Sequence, residues 1–160
     1  MRWSVLNYPG KLHHNTPGWV DDGALFHIRL RAAEGQASLV DSPLGDALIG
    51  AARHYDLTGK WSCSLILLMP DHAHAMIAVP QNPGMSETVR HWKRVTKRMF
   101  GTQWQEGFFD HRLRSEDESG ATWDYIHRNP YVRGICGPNE EWPWCWSRSE
   151  VERVVPTRLP

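Results

Sequence analysis

Two histidines one residue apart, and a tyrosine and an asparagine four residues apart, are the residues of this sequence best suited to chemistry. His72 and His74 lie in an apolar stretch that covers residues 65–79. Alternate side chains of a strand point to the same face, so the two imidazoles could hold one cation. Tyr125 and Asn129 have the spacing that places two side chains on one helix face. Together these four residues indicate a metal-assisted tyrosine nucleophile.

The donor types of this predicted site favour a hard divalent cation. Two neutral imidazoles and the amide oxygen of Asn129 would leave open positions for water and a phosphate oxygen. Mg²⁺ or Mn²⁺ fits this set best, and zinc ranks second because catalytic zinc usually takes a third histidine, a carboxylate or a thiolate. Structural alternatives stay open for each part: a chance histidine pair in a strand, a packing role for Tyr125, and a helix-ending Asn129-Pro130 pair.

Length and composition predict one domain over residues 1–160, without internal repeats. The first ten residues hold no long apolar run, and no apolar stretch reaches about 18 residues, so neither secretion nor membrane insertion is expected. The three cysteines form neither an even set nor a pair with zinc-ligand spacing, which favours a reducing compartment. We therefore expect a cytoplasmic protein with no membrane partner.

Charge is balanced overall but not along the chain. The 18 basic and 18 acidic residues cancel, so net charge gives no indication of a nucleic-acid partner. Residues 90–114, in contrast, hold seven basic and two acidic residues. A face that contacts phosphates and a solvated helix surface would both have this composition. The candidate DNA-binding residues in this segment are Arg90, Lys93, Arg94, Lys97 and Arg98.

Hydrophobic periodicity, caps and turn residues predict seven elements. In chain order they are a strand at 23–31, a helix from 42, strands at 61–69 and 73–79, a helix from 84, a strand at 107–114, and a helix at 122–128 that Pro130 ends, followed by an irregular tail. The first six can form an α+β fold, a ferredoxin-like four-stranded antiparallel sheet with two helices on one face, and the third helix would carry Tyr125.

The predicted topology makes the first and third strands adjacent and central. It therefore sets His27, Arg29 and Arg31 beside His72 and His74 on the open face of the sheet. His111 is assigned to the core face because it alternates with Phe109 and Leu113, and Trp104 is assigned to packing rather than base stacking. The sequence contains no P-loop, GxSxG, HExxH or strand-linked GxGxxG motif, which disfavours nucleotide hydrolysis and serine chemistry.

The chain resembles the single-tyrosine transposases of the HUH nuclease superfamily, most closely the branch called REP-associated tyrosine transposases. The resemblance spans about residues 17–147 and leaves an irregular tail at 148–160. It rests on motifs in the family's order, which are Pro17-Gly18, Phe26-His27-Ile28, residues 69–74, the 93–98 helix, Trp104-Gln105, Phe109-Asp110-His111, residues 125–130 and Trp142-Pro143.

This resemblance implies that His72 and His74 hold Mg²⁺ or Mn²⁺, that Asn129 is similar to the family's helix ligand, and that Tyr125 attacks DNA. The expected reaction cuts single-stranded DNA near short hairpin (REP-like) elements, leaves a 5′-phosphotyrosine link and a 3′-hydroxyl, and rejoins by its reversal. Cationic side chains of the central strand and the basic helix, Arg29, Arg31, Arg90, Lys93, Arg94, Lys97 and Arg98, would track the DNA backbone. The chain could act as a monomer or a homodimer.

The sequence departs from the family pattern at three places and leaves two rival functions open. Asp71 stands where relatives usually carry asparagine, Ala73 is a small middle residue, and residues 144–146 replace a small polar run. The carboxylate of Asp71 could shift metal preference or repel phosphate. One rival is a non-catalytic nucleic-acid-binding ferredoxin-like module, and the other is an enzyme that cuts DNA with metal-bound water and keeps Tyr125 as a structural residue.

Overall fold

The computed structural model describes residues 24–148, which form a five-stranded antiparallel sheet with three helices. The elements in chain order are β1 (Leu25–Arg31), α1 (Leu44–Leu57), β2 (Ser62–Leu68), β3 (His72–Ala78), α2 (Met85–Phe100), β4 (Phe109–Leu113), α3 (Glu116–Val132) and β5 (Cys145–Ser147). The sheet order is β4-β1-β3-β2-β5. The α+β prediction is thus confirmed, with β1 and β3 adjacent and central. The Pro17-Gly18 motif and the tail after residue 148 lie outside the described residues.

Helices α1 and α2 cover one face of the sheet. The first core on this face includes Ile28, Leu30, Leu48, Tyr55, Trp61, Ala73, Ala75, Ile77, Val89 and Trp92. Ala73 is 2% exposed, and it points away from the two histidines that flank it because successive strand residues face opposite sides. The small middle residue of the histidine pair therefore belongs to the packing of the helices.

Helix α3 covers part of the opposite face. The second core lies there and consists of Leu65, Leu67, Met69, Met76, Leu113, Trp123 and Ile126. Trp123 and Ile126 are three residues apart, so they lie on one stripe of α3 and pack together against the sheet. The face that the sequence predicted to be open is thus partly covered by the helix that carries Tyr125.

Helix α3 is longer than predicted at both ends. It begins after Ser115, whose Oγ accepts a hydrogen bond from the backbone N–H of Glu118 at 3.1 Å, an N-cap that the prediction missed. Pro130 lies inside the helix, which continues to Val132, so the prediction that it ends the helix is wrong. A proline in the last turn removes only one helical hydrogen bond, and Pro130 is buried, so packing offsets that loss.

Part of the predicted irregular tail is a strand. Residues Cys145–Ser147 form β5 and pair antiparallel with Leu65, Ile66 and Leu67 of β2. The fifth strand extends the predicted four-stranded sheet at the β2 edge. Among the helices of residues 24–148, none is long and apolar enough to cross a lipid bilayer.

Candidate active site

The register of β1 and β3 gathers the predicted polar side chains on one face. His27 pairs with Met76, Arg29 with His74, and Arg31 with His72. Directly paired residues of an antiparallel ladder share a face, so the three side chains of β1 lie beside the two histidines of β3. The structure brings these five residues together as the sequence predicted.

His72 and His74 point their ring nitrogens at one another. The Nε2 atoms lie 3.1 Å apart, and the two residues are 3% and 1% exposed. Ligands at right angles around a cation with bonds of about 2.1 Å lie about 3 Å from each other. The spacing of the two nitrogens therefore fits a single divalent cation that both histidines would share.

The outer nitrogens of the two rings have polar partners. His72 Nδ1 donates to Asp71 Oδ1 at 2.7 Å, and His74 Nδ1 lies within hydrogen-bond distance of His27 Nε2, at 2.9 Å. With the ring protons on Nδ1, the lone pair of each Nε2 atom faces the space between the histidines. Partners of this kind orient histidine ligands and set their tautomer in metal sites.

The electrostatic environment keeps these imidazoles neutral. Burial lowers the pKa of His74 to about 2, with the neighbouring histidines and Arg29 acting in the same direction. Burial, followed by Arg29, lowers the pKa of His27 to about 4. The pKa of His72 is also lowered by burial, although Asp71 opposes that shift. Neutral imidazole is the form that binds metal, so both rings of the pair are in that form at neutral pH.

Asn129 supplies the third predicted donor. Its amide Nδ2 lies 3.2 Å from His74 Nε2, and the residue is 8% exposed. Turning the amide by half a rotation would place Oδ1 at the same point, because the two ends of the group have the same shape. Within residues 24–148, no cluster of three or more His, Cys, Asp or Glu side chains could hold a metal. The fold thus brings the three predicted donors, two imidazoles and one amide, close to one another.

Tyr125 lies beside the histidine pair. Its ring centroid is 5.8 Å from that of His74 and 6.3 Å from that of His27, and the residue is 55% exposed. The second core holds helix α3 against the sheet near its middle. At the start of the helix, Glu118 pairs with His111 and accepts the backbone N–H of Arg114 at 2.8 Å. The phenol thus reaches the site in the folded chain and remains accessible from solvent.

Two residues near the site differ from what the sequence predicted: Arg133 was not among the predicted site residues, and His111 was predicted to lie in the core. Arg133 follows Asn129 by four positions, and its positive charge contributes to the lowered pKa of His72 and His74. The same spacing that links Tyr125 to Asn129 could have identified it. His111 was assigned to the core, but it is exposed. It pairs with His27 across the sheet, so it lies on the face of the candidate site, where its ring pairs with Glu118 of α3.

The cationic side chains predicted to bind DNA line three clefts. Arg29 and Arg31 line a cleft of about 190 Å³, where the Arg29 guanidinium lies 5.3 Å from the centroid of the Phe109 ring. A second cleft, of about 570 Å³, lies between α2 and residues 103–110, and its cationic lining consists of Arg90, Lys93, Arg94 and Lys97. Arg98 lines a third cleft, of about 630 Å³, on α2. Trp104 donates to Thr96 Oγ1 at 2.9 Å and packs against the first core, and it also lines the second cleft.

Comparison with known proteins supports the resemblance seen in the motifs. The chain matches no protein-family profile. It is 24% identical over 92 residues to the REP-associated tyrosine transposase of Escherichia coli (strain K12), with 54% of each chain covered, so it spans about half the length of that curated relative. A solved structure of a REP-associated tyrosine transposase bound to a REP hairpin superposes with a TM-score of 0.69 at 20% identity over 86% of both chains. A putative transposase from Deinococcus radiodurans R1 superposes with a TM-score of 0.48 at 18% identity, covering 65% of this chain and 88% of that one.

Proposed function

We propose that this chain is a transposase-like nuclease of the single-tyrosine type, which cleaves and rejoins single-stranded DNA at hairpin-bearing ends. One observation carries the proposal: the Nε2 atoms of His72 and His74 converge at 3.1 Å, and the Tyr125 ring lies 5.8 Å from His74. The similar proteins are REP-associated tyrosine transposases, and the solved structure of one of them contains a REP hairpin. This similarity supports a transposase-like activity and a hairpin DNA partner.

His72, His74 and Asn129 would hold the divalent cation, Mg²⁺ or Mn²⁺. When bound, the cation would polarise a non-bridging oxygen of the scissile phosphate and offset the charge that develops there. Asp71 and His27 would keep the two imidazoles in the tautomer that presents Nε2 to the site.

Tyr125 would act as the nucleophile. Its phenolic oxygen forms a bond to phosphorus while the bond from phosphorus to O3′ breaks, and the phenolic proton ends on the released 3′-hydroxyl. One phosphodiester replaces another, so neither cleavage nor rejoining requires a nucleoside triphosphate. Exposure of 55% leaves Tyr125 open to a DNA strand that approaches from solvent.

The clefts around the site would hold the DNA backbone. Arg29 and Arg31 lie next to the histidines, and they would contact the phosphates nearest to the scissile bond. The side chains that line the α2 clefts, Arg90, Arg94, Lys97 and Arg98, would contact phosphates farther along the strand. Lys93 also belongs to the predicted DNA-binding set, but its ammonium group is already hydrogen-bonded within the protein.

Covalent trapping tests the proposed function. A single-stranded hairpin oligonucleotide labelled at its 3′ end should form an adduct with the protein in Mn²⁺ that survives denaturing electrophoresis. Tyr125→Phe should abolish the adduct and retain DNA binding. Tyr131→Phe is the matched control in the same helix, because this tyrosine donates to the Glu140 carbonyl at 2.9 Å, and it should still form the adduct.

Two outcomes would contradict the proposal. Cleavage that persists in Tyr125→Phe would favour the enzyme that uses metal-bound water. Hairpin binding that needs no metal, with no cleavage by the unaltered protein, would favour the non-catalytic binding module.

A further inference from the structure

Lys93 differs from the other predicted DNA-binding residues of α2 because its charged group contacts backbone carbonyls of another segment, whereas Arg90 pairs with Glu87 on α2 itself. Its Nζ donates to the backbone carbonyls of Gln105 at 2.7 Å and Gly107 at 2.6 Å. The residue is half-buried, and burial lowers the pKa of its amine while Glu106 opposes that shift. Two of the three N–H bonds of Lys93 are therefore already committed to the 105–107 segment.

The same segment is attached on its other side to the end of β1. The backbone N–H of Gln105 donates to the Arg31 carbonyl at 2.8 Å, and that of Ala33 donates to the Gln103 carbonyl at 2.8 Å. The segment thus bridges α2 and the strand that carries Arg31. Lys93 supplies the bridging contacts on the α2 side.

The 105–107 segment, together with Phe108, forms a wall that two of the clefts share. Residues Gln105, Glu106, Gly107 and Phe108 line both the cleft of about 570 Å³ on α2 and the cleft of about 190 Å³ at Arg29 and Arg31. This wall lies between the cations of α2 and those of β1. A strand of DNA that contacts both groups would have to pass along it.

We propose that Lys93 is a positioning residue, which holds segment 105–107 between the two clefts instead of contacting a DNA phosphate. The inference rests on the proposed function, in that the clefts are taken to bind single-stranded DNA. Without the ammonium group, two carbonyl oxygens lose their donor and the wall is released from α2. DNA binding then weakens, although the number of cations that contact phosphates stays the same.

Salt dependence separates this role from direct phosphate contact. Each phosphate contact on single-stranded DNA contributes about 0.7 to the slope of log K against log salt concentration. Lys97→Met is the matched control, one turn later on α2, and should make the slope shallower by about that amount. Lys93→Met should bind hairpin DNA about tenfold more weakly at every salt concentration, with an unchanged slope. A slope as shallow as that of Lys97→Met, or an unchanged affinity, would overturn the inference.

Amine acylation with mass spectrometry makes the same test on the unaltered protein. Lys93 should react slowly with and without hairpin DNA. Lys97 should react quickly alone and slowly with DNA, while exposed Lys60, which lies over the Tyr55 ring, serves as the reference. If Lys93 reacts quickly in the free protein and is protected by DNA, the inference is overturned, while the proposed function still stands. Absence of hairpin binding by the unaltered protein would overturn the proposed function and the inference together.

Discussion

The Nε2 atom of His27 lies 2.9 Å from Nδ1 of His74, and this hydrogen bond joins β1 to the candidate metal site on β3. His74 can donate to His27 only when its proton is on Nδ1, which leaves Nε2 free as a lone pair. As the acceptor in this pair, His27 would favour the tautomer of His74 that is able to bind a cation.

Replacing His27 should weaken metal binding even though it is not a proposed ligand. We expect His27→Leu to lower the affinity for Mn²⁺ about 10–100-fold, the usual effect of losing an outer partner of a histidine ligand. His27→Gln should lose less, because its amide oxygen can accept the same proton. Isothermal titration with Mn²⁺ measures both changes, and equal affinities for the Leu variant and the unaltered protein would show that the hydrogen bond has no such role.

The carboxylate of Asp71 should affect metal and DNA in opposite directions. In Asp71→Asn, the side-chain oxygen still accepts from His72, but the negative charge next to the site is lost. We expect Mn²⁺ affinity to fall several-fold, and metal-free affinity for hairpin DNA to rise several-fold because repulsion of phosphate is removed.

Asp71→Ala is the control for this prediction. It removes both the charge and the acceptor, so Mn²⁺ affinity should fall further than in Asp71→Asn, by about 10–100-fold. Fluorescence anisotropy with hairpin DNA in a chelator, together with Mn²⁺ titration, distinguishes the two effects. A parallel fall in both affinities for Asp71→Asn would contradict the expected repulsion.

Truncation of a buried side chain should destabilise the protein in either core, but only truncation in the second core should also slow DNA cleavage. Ile126 in the second core and Leu48 in the first are both 0% exposed, so truncation to alanine should lower the free energy of unfolding by about 2–5 kcal/mol in each case. Only Ile126→Ala loosens the helix that carries Tyr125 and should also slow DNA cleavage. Urea unfolding and single-turnover cleavage, measured where both variants are folded, would reveal this split. Equal cleavage rates in the two variants would argue against it.

The parts of the site that lie on strands could be predicted from the sequence. Alternation with a period of two decides which face a residue occupies, and it correctly grouped Arg29 and Arg31 with His72 and His74. The adjacency of β1 and β3 followed from the order of elements, because few topologies accommodate that order.

The parts that could not be predicted depend on long-range contacts. Pro130 is kept inside α3 by burial, and the three-residue strand β5 exists through its pairing with β2, so neither has a strong local signal. His111 pairs with Glu118 of α3, a contact between two elements that strand alternation alone does not predict. Lys93 binds backbone carbonyls, which every residue possesses, so its side-chain type alone could not identify these partners.

Helix α3 and the strand that carries the histidines belong to one packed unit, because Trp123 and Ile126 fix the helix to the same sheet. The proposed nucleophile and the three proposed ligands therefore lie on one polypeptide within residues 24–148. Turnover per molecule should consequently be independent of dilution, unlike that of a site assembled from exchanged segments.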